Sequence, residues 1–125
     1  MLWREWYLSA RTAWQDLWFR SVTIAVMLLV VLSSGYFLWK LVPTRHSSST
    51  MVVHYNIYLG IDQIQSWHWM WFLPGIWVVF TTLDIALAYA WYRSEFHLAW
   101  GWLLLACAWS LPWLFALFYL IRINI

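Results

Sequence analysis

Three long runs of apolar residues alternate with polar connections along the chain. The runs cover residues 21–41, 71–91 and 98–121, and Asp84 is the one charged residue in the interior of any of them. An α-helix rises about 1.5 Å per residue, so each run can cross the roughly 30 Å hydrocarbon core of a bilayer. The pattern predicts an all-α membrane protein with three transmembrane helices in a single membrane domain. The short connection at 92–97 makes the second and third helices antiparallel neighbours.

Residues 2–20 have a different pattern, in which apolar and polar residues occupy opposite faces of a helix. The apolar face contains Trp3, Trp6, Tyr7, Ala10, Trp14, Leu17 and Trp18, and the polar face contains Arg4, Glu5, Arg11, Gln15 and Asp16. This arrangement predicts an amphipathic helix that lies in the membrane interface before the first span. A cleaved signal peptide is the alternative, but its charged region would have to accommodate two carboxylates and no small-residue cleavage site follows cleanly.

The long connection at 42–70 is predicted to lie outside the cytoplasm. Its first part, 44–50, is rich in Ser and Thr and is typical of a turn. Residues 51–59 alternate β-branched and aromatic side chains, which predicts a short β segment closed by a turn at Gly60 and Asp62. Residues 63–70 then return the chain to the membrane through several tryptophans.

Composition and charge narrow the class of protein. The chain has 125 residues, of which 65% are hydrophobic and 10% are charged, whereas about a quarter of an average soluble domain is charged. The net charge of +2 is small, and the charged residues are scattered along the chain, which excludes a typical nucleic-acid-binding protein. Its single cysteine, Cys107, cannot form an intrachain disulfide. We expect the partners to be the lipid bilayer and other membrane protein subunits, and we expect no nucleic acid.

The positive residues favour one orientation in the membrane. Arg4, Arg11, Arg20 and Arg93 fall on one predicted side, and Lys40, Arg45 and Arg122 fall on the other. Three of the first group precede the first span, which usually dominates orientation. We therefore expect a multi-pass protein of a prokaryotic cytoplasmic (inner) membrane, with its N-terminus inside and its C-terminus outside.

One segment of the long connection resembles a known family. The matching residues are His54, Tyr55, Asn56, Ile57, Tyr58, Gly60, Ile61 and Asp62, followed by Leu73 and Pro74. A similar HYNIYxGID stretch is found in uncharacterised small three-span membrane proteins of bacterial candidate phyla, between a first span and a helical hairpin that begins Leu-Pro. The resemblance implies the same topology and adds no chemistry. The high tryptophan content and Asp84 depart from the family's pattern.

Asp84 is the sharpest chemical feature of the sequence. A carboxylate inside a span costs roughly 2.5–3.5 kcal/mol on insertion scales, so such a residue usually faces a cavity, a bundle interior or a partner. Thr81 lies one turn away on the same face and could hydrogen-bond to the carboxyl group. The open alternatives are a proton- or ion-coupling site, a protonated structural residue, and a residue that pairs with a neighbouring subunit. The last is the expectation here, because this chain offers no obvious partner.

A second candidate feature is a group of small residues that could allow close helix packing. The group comprises Ser33, Ser34 and Gly35 on the first span and Ser110 on the third, at similar predicted depths. Pro112 lies just beyond Ser110 and leaves the carbonyl of Ala108 without its usual helical donor. Such features are more often packing devices than parts of a transport path.

Catalytic and metal-binding patterns are not found in the sequence. His46, His54 and His68 fall in the long connection and His97 falls on the opposite side, so four histidines cannot converge on one metal. No nucleophile lies near a general base in one compartment. We therefore expect a protein that is not an enzyme, and the sequence assigns no cofactor.

The favoured interpretation is a non-catalytic accessory or scaffolding subunit of a larger membrane protein complex. One alternative is a small oligomeric proton- or ion-coupled transporter that uses Asp84. The other is a pigment-associated subunit of a light-harvesting or electron-transfer complex, in which tryptophans stack on the pigment rings. Four tryptophans lie within the spans and need acceptors for their indole N–H groups. They are Trp77, Trp102, Trp109 and Trp113.

Overall fold

The computed structural model describes residues 2–42, 50–56 and 60–125. In these ranges the elements are α1 (Leu2–Gln15), α2 (Leu17–Leu41), β1 (Thr50–Asn56), β2 (Gly60–Ser66), α3 (Trp69–Trp91) and α4 (Phe96–Asn124). The helices α2, α3 and α4 are long and apolar enough to cross a membrane. The predicted all-α fold class with three spans is therefore confirmed, and α3 and α4 both extend beyond their predicted bounds.

The boundary between the first two helices differs from the predicted one. The chain breaks at Asp16, so residues 17–20 belong to α2 and not to the amphipathic helix. Asp16 has an extended backbone, and its Oδ1 accepts from the backbone N–H of Trp18 at 2.9 Å and of Phe19 at 3.2 Å. These bonds satisfy two N–H groups that the first turn of a helix otherwise leaves free. Asp16 is thus an N-cap, whereas the sequence pattern placed it on a polar helix face.

Helix α1 contacts the bundle through small side chains. Ser9 and Ala13 are buried, and the aromatic residues of the same helix are exposed, with Trp3 at 84% and Trp14 at 50%. Small residues let the backbone of α1 approach α3 closely, and they leave the aromatic side chains free to contact lipid. This arrangement suits a helix at a membrane surface.

The three long helices form a bundle in which α3 and α4 are the antiparallel neighbours that the sequence predicted. Helix α2 packs on both of them. The bundle has two apolar clusters, one at each end. The cluster at the α1 end contains Ala13, Phe19, Ala88, Tyr89, Ala99 and Leu103. The cluster toward the β-strands contains Val26, Val30, Phe37, Leu41, Met51, Trp67, Met70, Trp77, Ala106, Leu117 and Leu120.

The long connection contains a β-hairpin. Strand β1 pairs antiparallel with β2, with Met51 opposite Gln65 and Asn56 opposite Gly60, and the register is irregular around His54. The β segment predicted at 51–59 is present as β1 as far as Asn56. The turn predicted at Gly60 and Asp62 is wrong, because both residues belong to β2, a second strand that the sequence pattern did not indicate. Of the segment predicted as a turn, 44–50, residues 44–49 lie outside the described residues, as does His46 among them, whereas Thr50 begins β1.

The sequence motif of the hairpin lies at its tip. The backbone of His54, Tyr55 and Asn56 is at the end of β1, and that of Gly60 and Asp62 is at the start of β2. Tyr58 lies outside the described residues, as do the side chains of the other five positions. The role of the motif stays a prediction.

A single side chain fastens the hairpin to the end of α4. The backbone N–H of Val52 donates to Asn124 Oδ1 at 2.8 Å, and Asn124 Nδ2 donates to the carbonyl oxygens of Val52 at 2.8 Å and of Leu120 at 2.9 Å. The amide thus satisfies both backbone groups of Val52, as a third strand would. Because Met51 beside it is 1% exposed, the hairpin is part of the folded bundle.

Replacement of Asn124 by Leu is expected to release the hairpin. The change removes three hydrogen bonds and leaves the backbone groups of Val52 unpaired, which costs about 1–3 kcal/mol. Amide hydrogen exchange at Val52 is therefore expected to accelerate by about five- to 150-fold in the detergent-solubilised protein. The exposed neighbour Arg122 provides the control, since Arg122→Gln leaves these bonds intact. Unchanged exchange at Val52 in Asn124→Leu would contradict the clamp.

Candidate functional site

Asp84 lies on the face of α3 that points into the chain's own bundle. It is 8% exposed and shares this buried face with Trp77, Thr81 and Ala88. Residues spaced three or four apart line one side of a helix. A neighbouring subunit has little access to a carboxyl group in this position. The expectation that Asp84 pairs with another subunit is therefore not supported by its position.

Asp84 belongs to a polar layer between the two apolar clusters. On α3, Thr81 and Asp84 lie between Trp77, which is in the cluster near the strands, and Ala88, which is in the cluster at the α1 end. On α2, the buried Thr23 likewise lies between the parts of the helix that enter the two clusters. We call Thr23, Thr81 and Asp84 the polar layer.

The hydrogen bonds of the polar layer are incomplete. Thr23 Oγ1 donates to the carbonyl of Phe19 at 2.9 Å and accepts from the hydroxyl of Tyr89 at 3.3 Å. Thr81 Oγ1 is buried without a partner among the described residues. Within the same ranges Asp84 has no ion pair or hydrogen bond, so the predicted bond between Thr81 and Asp84 is not formed.

The polar layer has the chemistry of a proton- or cation-binding position. A carboxyl group and a hydroxyl group inside a span are the oxygen donors that proton relays and ion-coupled proteins use. An unsatisfied buried hydroxyl costs about 1–3 kcal/mol. Retaining two such groups on one buried face is therefore a feature that apolar packing alone does not explain.

The predicted small-residue group is divided between different surroundings. Ser34 and Ser110 are buried, and Ser110 Oγ donates to the carbonyl of Ala106 at 2.9 Å. Ser33 lines a groove of ≈ 240 Å³ between α2 and α4, beside Leu114 and Leu117. These leucines lie a turn or more beyond Ser110, so the groove places Ser33 beside a later part of α4 than Ser110. Gly35 faces open space, because a Cβ built on it meets nothing within 4 Å.

The inner tryptophans find ring partners more readily than hydrogen-bond partners. Trp77 stacks on Trp113, with ring centroids 6.4 Å apart and planes 8° apart, and Trp102 contacts Trp91 at 5.9 Å. The indole N–H groups of Trp77 and Trp102 are buried without an acceptor among the described residues. Trp109 differs from them, because it faces outward and is 53% exposed.

A group of polar contacts that the sequence did not reveal holds α1 against the end of α3. Ser9 Oγ donates to the carbonyl of Tyr89 at 2.7 Å and accepts from the backbone N–H of Arg93 at 3.1 Å. The hydroxyl of Tyr92 donates to Asp16 Oδ2. An Asp directly before an apolar run is a helix-start signal, so the cap at Asp16 was open to prediction. Its bond to Tyr92 has no local sequence signal.

The bond between Tyr92 and Asp16 changes how both groups titrate. Burial of Tyr92, together with its bond to the Asp16 carboxylate and the charge of that carboxylate, raises the pKa of Tyr92 to about 12. The hydrogen bond from Tyr92, followed by those from the backbone of Phe19 and Trp18, lowers the pKa of Asp16. Each shift reflects the preference of the folded protein for an ionised Asp16 and a neutral Tyr92.

Comparison of the chain with protein-family models, with curated proteins and with solved structures finds no match. The class of protein therefore follows from the fold itself. The three apolar helices are those of a multi-pass membrane protein.

The docking of α1 is expected to weaken at strongly alkaline pH. The pKa of Tyr92 is higher in the folded protein than its ordinary value of 10.0. Its stabilising contribution is therefore complete below about pH 10 and is lost as the pH rises toward 12. The pKa of Asp16 is lowered from 3.8, so its contribution is lost only as the pH falls below about 4.

Thermal unfolding in detergent, followed by circular dichroism, measures this effect. The thermal unfolding midpoint of the wild type is expected to decrease as the pH is raised from 10 to 12. Tyr92→Phe is expected to have a lower unfolding midpoint than the wild type at pH 8 and a smaller decrease between pH 10 and 12. Tyr119→Phe, at an exposed position on α4, serves as the control for general alkaline unfolding. Identical pH profiles for Tyr92→Phe and the wild type would show that the bond does not stabilise the fold.

Proposed function

We propose that this protein is a non-catalytic accessory or scaffolding subunit of a larger membrane complex, which it contacts through the outward face of α4. The observation that carries the proposal is the position of Trp109. Its indole N–H has no acceptor among the described residues, and its ring is exposed on the outer surface of α4.

The depth of Trp109 makes its exposure costly. At 1.5 Å per residue, it lies about 20 Å from the start of α4 and about 22 Å from its end. Tryptophan ordinarily lies at the bilayer interface, where water or headgroups can accept its N–H. Lipid chains at mid-depth offer no acceptor. An acceptor from another membrane chain would satisfy the group.

The surface around Trp109 is suited to a second helix. Gly101, Ala108, Pro112 and Ala116 are exposed beside it, and small residues let two helix backbones approach closely in a membrane. Pro112 cannot donate to the carbonyl of Ala108. The face therefore combines the indole N–H of Trp109 with a carbonyl that lacks its usual helical donor, and a partner helix with polar groups can pair both.

The first experiment removes the indole N–H and keeps an aromatic ring. Trp109→Phe is expected to lose partner chains that co-purify with the wild type in mild detergent, as measured by native mass spectrometry. Trp71→Phe is the matched control, since Trp71 is 56% exposed but lies near the start of α3, at the interface. Recovery of the wild type as a stable monomer without partners would argue against the subunit proposal.

A proton- or ion-coupled transporter is the second candidate, and the polar layer is the observation that favours it. A buried carboxyl group beside an unpaired hydroxyl is typical of a coupling site. The grooves among the described residues argue against the transporter. The grooves between α2 and α3 and between α2 and α4 have predominantly apolar linings, and a third apolar groove lies along the surface of α3 alone.

Substitution at Asp84 separates the two candidates. Under the subunit proposal, Asp84→Asn is expected to leave expression and co-purification unchanged, because it keeps the volume and removes only the ionisable group. Asp84→Lys is expected to disrupt assembly, since a cation at this depth costs about 2.5–3.5 kcal/mol without a partner. Proton flux into liposomes that is present in the wild type and absent in Asp84→Asn would favour the transporter instead.

We further propose a prokaryotic cytoplasmic membrane, with the N-terminus inside and the C-terminus outside. Four positive residues against three support this orientation, with Arg4 and Arg11 ahead of α2 and Arg20 in its first turn. An alkaline phosphatase fusion after residue 125 is expected to be active, and a green fluorescent protein fusion at the same point is expected to be dark. The reverse pattern would invert the orientation.

A further inference from the structure

An apolar groove of ≈ 570 Å³ lies between α2 and α3, on the side that α1 covers. Met27 and Val31 of α2 and Ala86 of α3 form part of its walls, and Trp6 and Trp14 of α1 complete it. We call it the α2–α3 groove. The atoms that face the groove are apolar, although Thr23, Thr82 and Tyr89 also contribute to its walls, so it suits a hydrocarbon ligand better than a polar one.

The length of the α2–α3 groove corresponds to one leaflet of a bilayer. Along α2 its lining extends from Thr23 to Val31, which is about 12 Å at 1.5 Å per residue. One leaflet contributes half of the roughly 30 Å hydrocarbon core. A single acyl chain that starts at the α1 end would therefore follow the groove within its own leaflet.

A positive charge stands at the α1 end of the groove. The guanidinium carbon of Arg20 lies 5.9 Å from the ring centre of Trp14. Trp14 in turn lies 6.5 Å from the ring of Tyr89, and both rings line the groove. The cation is thus next to the place where the headgroup of a lipid in the groove would lie.

Among the residues that the structure describes, Arg20 has no carboxylate to pair with. Asp16, one turn before it, is the nearest acidic residue in the sequence. Both oxygens of Asp16 are already engaged, Oδ1 by two backbone N–H groups and Oδ2 by the hydroxyl of Tyr92. In the part of the chain that the structure describes, Arg20 forms no ion pair. Its charge is available to an anion at the membrane surface.

We propose that the α2–α3 groove and Arg20 together bind one anionic phospholipid. One acyl chain occupies the groove, and the headgroup phosphate pairs with the Arg20 guanidinium. A cation near the membrane surface favours anionic over zwitterionic lipid. The aromatic residues of α1 cover the chain near its headgroup end. The site is separate from the outward face of α4, so it does not depend on the proposed subunit function.

Lipid retention by the full chain tests the proposal. The delipidated protein in detergent is incubated with phosphatidylglycerol or with phosphatidylcholine of the same acyl chains, and bound lipid is counted by native mass spectrometry. The wild type is expected to retain one phosphatidylglycerol with about fivefold preference over phosphatidylcholine, the size of effect that one cation near a membrane surface supplies.

Two matched pairs of variants assign this retention to the site. Arg20→Gln is expected to abolish the preference, whereas Arg11→Gln, on the exposed side of α1, is expected to keep it. Ala86→Phe fills the groove and is expected to lower retention of both lipids. Ala25→Phe makes the same change at an exposed position on α2 outside the groove lining, and it is expected to have no effect.

Three outcomes would overturn the proposal. A preference that survives Arg20→Gln would show that the headgroup is bound elsewhere. Equal retention by Ala86→Phe and the wild type would indicate only a general lipid shell. Release of a co-purifying protein chain by Ala86→Phe, without loss of lipid, would mean that a partner occupies the groove. None of these variants alters α4. The lipid proposal can therefore fail without affecting the subunit proposal, which the experiment on Trp109 tests separately.

Discussion

In a bundle of three helices, each helix buries only a narrow strip of its surface. Few polar groups inside the membrane can therefore find a hydrogen-bond partner within the bundle. Lipid supplies no hydrogen bonds, so a polar side chain in a span must find a partner in its own bundle or in another chain. Asp84 and Thr81 take the first course by facing inward, although the bundle provides them with no hydrogen bond among the described residues. Trp109 takes the second course by facing outward. The two candidate functions, a subunit contact on α4 and a coupling site in the polar layer, follow from these opposite choices.

The junction at Asp16 determines where the membrane-spanning part of the chain begins. One carboxylate caps α2 through its Oδ1 and accepts the hydroxyl of Tyr92 through its Oδ2. The same residue therefore ends the surface helix, starts the first span and links both to the end of α3. With its two oxygens used in this way, Asp16 does not pair with Arg20, which forms no ion pair in the described parts of the chain, and the proposed lipid site depends on that available charge. The need to cap the first turn of α2 thus keeps the Asp16 carboxylate away from Arg20 and leaves that positive charge available at the surface.

The number of spans and the helical hairpin could be predicted because they depend on length and on the short connection at 92–97. The side of each helix that is buried in the bundle could not be predicted. Helices α2, α3 and α4 are apolar on all sides, so their sequences contain no polar face that would mark the outside. For this reason the sequence led to a neighbouring subunit as the partner of Asp84, whereas the structure places the residue inside. Contacts such as Ser9 with Tyr89, or Asn124 with Val52, join residues 72 or more positions apart and leave no local signal. The break at Asp16 was open to prediction from the capping rule.

The clamp between Asn124 and Val52 also constrains the order of assembly. These residues are 72 positions apart, and Asn124 is at the last turn of α4. At synthesis rates of about 5–20 residues per second, Val52 emerges roughly 4–14 seconds before its partner exists. During that interval the hairpin cannot form its contacts with Asn124, even if α2 has already inserted into the membrane. The connection between the first two spans is therefore fixed in place only after the third has been made, so the final helix completes the fold at the opposite end of the bundle from α1.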